Sequence, residues 1–198
     1  MPISYNHNFK FIHIPKTGGS SVEKVFDLQK PENLYIPGFT NNIGGCWFAP
    51  QHFTHKLINI SMPHCRNWFS FTITRNPYTK IISDYFFINK NFYNNEIKEF
   101  NEDKFVEWFK NELLRFDIDH KLPQSFFLDE PVNMILKFER LEEDFKRLSS
   151  YLKIEKSLIH DNKSLYNKED IANQLSLKTR ELIYTNFRKD FEAFGYSP

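Results

Sequence analysis

A chain of 198 residues with a formal net charge of +1 is long enough to bury a real core, and it lacks the global basic field of a nucleic-acid coat protein. A hydrophobic fraction of 40%, an aromatic fraction of 17% and 22 phenylalanines exclude a disordered chain and predict one folded domain over 1–198. No apolar run approaches a membrane span, and no charged leader with a long apolar middle is visible. Cys46 and Cys65 are too few for a disulfide scaffold, so the expectation is a soluble protein in a reducing cytoplasm.

In chain order, Phe9, Phe11, Ile12 and Ile14 form a short apolar run suited to a buried strand. Pro15, Lys16, Thr17, Gly18, Gly19, Ser20 and Ser21 follow as a breaker-rich turn, and Val22, Val25 and Phe26 return at helical spacing. Strand, glycine turn and helix start present several backbone N–H groups around one point, with the positive end of a helix behind them. That is a phosphate cradle, and Lys16 sets a full positive charge beside it. The nucleotide-triphosphate loop has its lysine after the glycines. Here Lys16 precedes Gly18 and Gly19, so it reaches back over the strand end towards a group leaving from the bound phosphate. The competing reading is a plain turn with a solvated lysine.

Gln29–Pro50 reads as a long loop that ends in Gln51-His52-Phe53-Thr54-His55, ahead of a short helix through Leu57, Ile58 and Ile60. Trp68–Thr74 is a second buried strand, closed by Arg75-Asn76-Pro77, and Ile81, Ile82, Tyr85, Phe86 and Ile88 continue at helical spacing. A polar connection over Phe92–Asn101 leads to an amphipathic helix over Glu102–Phe116. Asp117–Pro123 is a connection and Gln124–Leu128 a short turn. Met134–Phe138 is a third strand, and Leu141, Phe145, Leu148 and Leu152 start another helix. Tyr151–Lys168 is mostly loop, and Thr179–Phe194 is a final helix. The alternation predicts an α/β domain with a mainly parallel sheet, in which ligands sit at the carboxyl ends of strands. Both motif turns fall at such ends. Arg75 at a strand tip can fork onto a phosphate, and Ser83, two turns into the helix, can add a hydroxyl. Alternatively, Arg75 is a surface cap and Ser83 a helix-packing residue.

PKTGGSS after one apolar strand and RNPYTKIISDY after another resemble the sulfotransferases that use 3′-phosphoadenosine-5′-phosphosulfate (PAPS), in particular the branch of carbohydrate sulfotransferases with its small bacterial members. Weaker echoes in Pro123-Gln124-Ser125, in Leu136–Leu141 and in Asp190–Tyr196 extend the resemblance towards the C-terminus. It implies a P-loop-like three-layer α/β domain, PAPS as co-substrate with adenosine 3′,5′-bisphosphate as product, and no metal. It also implies that Lys16, Thr17, Gly18, Gly19, Ser20 and Ser21 bind the 5′-phosphosulfate and that Arg75 and Ser83 bind the 3′-phosphate. Lys163 and Ser164 would close a third wall from a late loop, with a solvated loop an equal reading. The acceptor hydroxyl would be on a carbohydrate. The membrane anchor and lumenal cysteines of the Golgi members are not seen here, which sets the large glycan substrates of those enzymes apart.

Sulfuryl transfer through a loose in-line transition state makes positioning and charge stabilisation the main tasks. Lys16 and the loop N–H groups face the leaving phosphate. His52 is the expected base, with His55 as runner-up or as an orienting partner. Glu139 and Asp84 are carboxylate alternatives, Gln124 faces either the acceptor cleft or its own turn, and His13 is read as core inside the first strand. Three other readings compete. A zinc site from Cys46, His52, His55, His64 and Cys65 matches no standard spacing. A nucleotide kinase lacks its lysine order and a clear magnesium carboxylate. The third is a non-catalytic nucleotide- or glycan-binding module of the same fold.

Overall fold

Alternation along Trp68–Thr74 decides how the sheet is built. Phe69, Phe71 and Ile73 alternate with Ser70, Thr72 and Thr74, so the strand Phe69–Thr74 (β5) has one apolar and one hydroxyl face. In the computed structural model, which describes residues 2–28, 42–43, 45–49, 51–158 and 166–198, this strand is central. It pairs in parallel with Phe9–Ile12 (β2), Phe9 opposite Phe69, and with Met134–Lys137 (β6), Phe71 opposite Met134. Ile3–Ser4 (β1) adds an antiparallel edge to β2, giving the order β1-β2-β5-β6. The hydroxyl face is buried, and its groups are satisfied internally. Thr72 Oγ1 donates to the Ile12 carbonyl at 2.7 Å and Thr74 Oγ1 to the Leu136 carbonyl at 3.4 Å.

Helices cover both faces. Gly19–Val25 (α1) and Leu141–Leu152 (α6) bury Val22, Val25, Phe145 and Leu148 against Phe9, Phe11, Phe71 and Ile73. On the other face His55–Ser61 (α2) sets Ile58 in a cluster with Ile12, Ile14 and Phe127. Lys10 points into that layer at 1% exposure, where its Nζ donates to Asn59 Oδ1 at 2.6 Å and to the Arg66 carbonyl at 2.8 Å. A further core joins Pro77–Phe92 (α3), Glu102–Asn111 (α4), Lys168–Gln174 (α7) and Leu177–Phe194 (α8) around Tyr85, Phe105, Trp108, Phe109, Phe187 and Phe191. The four-residue helix Gln124–Phe127 (α5) leads towards β6. The α/β architecture with a mainly parallel, helix-flanked sheet is the one the sequence implied.

Several boundaries differ from expectation. The helix after Glu102 stops at Asn111 and is followed by a 3-10 turn over Leu113–Arg115, which ends where Phe116 takes a left-handed backbone with φ 52°. The last helix starts at Leu177, where Ser176 caps the Thr179 N–H. Helix α7 was not anticipated. Asn167 caps the N–H groups of Glu169 and Asp170, but the helix is too short to show an apolar period. The edge strand β1 and the small pair Asn42–Ile43 with Cys46–Trp47 (β3 and β4) are also additions. Both cysteines are buried and free. No helix among the described residues is long and apolar enough to cross a membrane.

Candidate active site

Because β2 and β5 are parallel neighbours, their carboxyl ends lie side by side, and the chain leaves both into the motif turns. After β2 the backbone is left-handed at Lys16 (φ 62°) and at Gly18 (φ 90°). A Cβ on Gly18 would also lie 3.0 Å from the Phe138 ring. Thr17 is buried, and its hydroxyl donates to the Ile14 carbonyl at 2.8 Å, so its side chain shapes the turn. Ser20 and Ser21 are half-buried on the opening turn of α1.

Arg75 is fixed from four directions. Its N–H donates to Gln124 Oε1 and its carbonyl accepts from Gln124 Nε2, both at 2.8 Å. Its Nε donates to Thr79 Oγ1 at 3.0 Å, and its guanidinium carbon stands 4.0 Å from the centre of the Phe138 ring. Its NH1 donates to the Lys16 carbonyl at 3.2 Å, which joins the two motif turns directly. Ser83 is buried one turn beyond Thr79 on α3. Gln124, at 0% exposure and held by Asp190 Oδ2 on its own N–H, is a clamp on the Arg75 backbone.

Cations are in excess around this junction. Burial lowers the Lys16 ammonium, Asp84 acts the other way, and Arg75 and Lys80 lower it further. Burial pushes the Arg75 guanidinium down to about 10 against the nearby carboxylates of Glu139 and Asp84. Lys168, at the start of α7, is pushed down to about 8 by burial and then by Arg75 and Lys16. Perturbed groups of this kind cluster at functional sites, and an anion would offset the repulsion among these cations.

A string of buried imidazoles adjoins Lys16. His52 Nδ1 donates to Asp119 Oδ2 at 2.7 Å, which leaves Nε2 as the lone-pair nitrogen. Burial pushes the His52 imidazole down to about 4 although the Asp119 hydrogen bond acts against it, so it is neutral at neutral pH. Burial alone would raise the Asp119 carboxyl; the hydrogen bonds from His52 and from the Ala49 N–H bring it below its usual range. His13 was expected inside the first strand as core. It is buried, but it stands one residue past the end of β2, with Nδ1 2.6 Å from Glu23 and its ring centre 4.7 Å from that of His52. On the other side His120 lies 5.4 Å from His52, with Nδ1 3.2 Å from Asp84 Oδ1. The Phe87 ring links the string to the first turn: His120 stacks on it at 4.4 Å, and Lys16 Nζ stands 4.1 Å from its centre.

The carboxylate alternatives are engaged. Glu139 accepts from the Asn76 N–H at 2.6 Å and from the Tyr196 hydroxyl at 3.0 Å. Asp84 holds Lys80 Nζ at 2.7 Å as well as His120. His55 belongs to other surroundings, with Nδ1 3.2 Å from the Glu130 carbonyl and Lys10, Glu130 and Asp129 as its charged neighbours. Lys163 and Ser164 lie outside the described residues. Asp119, His120, Phe87 and Lys168 were missed by sequence reasoning. The one available signal was an Asp and a His packed into the short segment before Pro123, since loops carry function more often than their length suggests.

Comparison with known proteins bears on the fold and the family. The crystal structure of mouse sulfotransferase SULT7A1 complexed with PAP shares the fold, with a TM-score of 0.53 over 96% of this chain and 88% of that chain at 13% identity. No curated protein matches the sequence. A family model described as the sulfotransferase family matches residues 2–197, and on that nearly complete match the chain belongs to the sulfotransferase family.

Proposed function

We propose that the protein transfers a sulfuryl group from PAPS to a hydroxyl of a carbohydrate acceptor, with His52 as general base and Lys16 stabilising the leaving phosphate. Family membership supports sulfuryl transfer. The observation that carries the donor assignment is the hydrogen bond from Arg75 NH1 to the Lys16 carbonyl at 3.2 Å. Contact between the two turns supports a reading in which both phosphate ends of one adenosine bisphosphate are held at this junction. Lys16, with the turn Thr17–Ser21, would hold the phosphosulfate, and Arg75, Ser83 and Lys168 would hold the 3′-phosphate.

The donor supplies an activated sulfur whose bond to the 5′-phosphate oxygen breaks as the acceptor oxygen bonds to it. Negative charge then grows on the departing oxygen, and Lys16 is the nearest full charge on the first turn. The acceptor loses its proton to His52 Nε2. An imidazole titrating near 4 is a weak base before reaction. The Asp119 carboxylate on Nδ1 stabilises the imidazolium as the proton arrives and already offsets part of the cost of burial in that value. The engaged oxygens of Glu139 and Asp84 argue for the imidazole over either carboxylate. The carbohydrate acceptor rests on the sequence resemblance, and the net charge of +1 favours a neutral glycan over a long polyanion.

The test is incubation with PAPS and a panel of neutral glycans, phenols and sterols, following adenosine 3′,5′-bisphosphate release and the sulfated product together. Release that accelerates with a glycan supports the reading. A phenol or sterol as sole acceptor contradicts the carbohydrate assignment, and tight bisphosphate binding with no transfer to any class contradicts the enzyme.

A further inference from the structure

The three-histidine string holds more than a base. We infer that His52, Asp119 and His120 form a binding site for a first-row divalent cation of borderline softness, with Zn²⁺ the best fit. Each residue offers one ligand atom, and these atoms lie within 4.8 Å of one another. Tetrahedral zinc with bonds near 2.0–2.1 Å sets its ligands about 3.3 Å apart, so the wider gaps of the set would contract while the 2.7 Å between His52 Nδ1 and Asp119 Oδ2 would open. Two imidazoles and one carboxylate select zinc-like ions over magnesium, which prefers oxygen and keeps its waters.

Two independent observations point to a ligand. Asp119 is 1% exposed, and its Oδ2 accepts from both the Ala49 N–H and His52 Nδ1, whereas Oδ1 is buried with no hydrogen-bond partner among the described residues. A buried carboxylate oxygen without a partner is costly, and a cation would satisfy it. His120 also has the support typical of a metal-bound imidazole: its Nδ1 meets the Asp84 carboxylate at 3.2 Å, and Asp84 is itself fixed by Lys80 Nζ at 2.7 Å. Lys16 and Lys80 oppose a cation here, and the carboxylates of Asp119 and Asp84 offset them. The sequence-level zinc set shared only His52 with this one.

Zinc shared with Asp119 would sit on His52 Nδ1 in place of the hydrogen bond between them and leave the ring proton on Nε2. Nε2 is then no longer a base, so zinc would inhibit transfer reversibly. That consequence rests on the proposed function, whereas binding does not. The test is calorimetric titration of chelator-treated protein with Zn²⁺ and separately with Mg²⁺, and a visible-absorption titration with Co²⁺. One Zn²⁺ per chain is expected, with no comparable Mg²⁺ binding and a tetrahedral Co²⁺ spectrum. His120→Asn should weaken Zn²⁺ by at least about tenfold. His64→Gln, at an exposed histidine away from the string, should leave it unchanged. Asp119→Asn gives a second route, should His120→Asn fail to fold. Absence of saturable one-to-one binding, or binding indifferent to both variants, overturns the site. Zinc that binds as expected while transfer proceeds at full rate overturns the inhibition and His52 as base, leaving the site intact.

Discussion

Gly19→Ala sets two physical effects against each other with opposite signs. Gly19 opens α1, and replacing a helical glycine by alanine ordinarily stabilises by up to about 1 kcal/mol. Here the new Cβ would stand 2.2 Å from His13 Cδ2, 2.3 Å from Nε2 and 2.9 Å from Cγ. The ring cannot swing aside cheaply, because Nδ1 is bound to Glu23 at 2.6 Å and the far side packs on His52. Overpacking of this kind costs about 1–3 kcal/mol. Loss of a buried hydrogen bond to a charged group costs about 1.5–3 kcal/mol more where His13 is expelled. The net expectation is destabilisation by roughly 2–4 kcal/mol. Urea unfolding at constant slope measures it. A double-mutant cycle with His13→Ala should show coupling of at least about 1 kcal/mol, because the clash vanishes with the ring. A Gly19→Ala protein as stable as the parent, or more stable, refutes the packing of His13 against this turn.

Other perturbations separate the roles in the site. Lys16→Ala should lower turnover by about 10²- to 10³-fold with the fold intact, and retention of most of the rate in steady-state assays contradicts the leaving-group role. Arg75→Ala should raise the Kd for the bisphosphate more than it lowers kcat. His52→Ala should keep nucleotide binding and lose transfer, and Asp119→Asn should lower kcat by roughly a hundredfold or more with donor affinity preserved; an unchanged kcat in either moves the base elsewhere. Lys168 titrates near 8 in the free protein and is expected to regain its proton beside a bound phosphate. Bisphosphate binding should therefore take up a proton above about pH 8 and weaken as pH rises further, with little uptake below pH 7. Calorimetry in buffers of different ionisation enthalpy reads this, and Lys168→Met should abolish it.

The parallel strand pair and its two turns were legible because aromatic and β-branched runs break abruptly into Pro15–Ser21 and Arg75–Pro77. Their adjacency followed from chain order in an α/β fold. The partner of His52 was not legible. Asp119 lies 67 positions away on a connection without periodicity, and only the tertiary fold brings them together. The same holds for Gln124, 49 positions from the backbone it clamps. Lys10 shows how a charged residue hides in an apolar strand, since its ammonium is satisfied from a helix layer that the strand pattern does not reveal. His13 is buried as expected, but its contact with His52, distant in the chain, was not legible in the strand pattern.

The account's central claim is that one adenosine carrying two separate phosphates spans the Lys16 and Arg75 turns. Calorimetric titration of adenosine 3′,5′-bisphosphate against ATP tests it most directly, with Arg75→Ala and adenosine 5′-monophosphate alongside. The account predicts that the bisphosphate binds more tightly than ATP or the monophosphate, and that Arg75→Ala erases its advantage over the monophosphate. Equal binding of all three nucleotides, or a 3′-phosphate advantage that survives without Arg75, would contradict it.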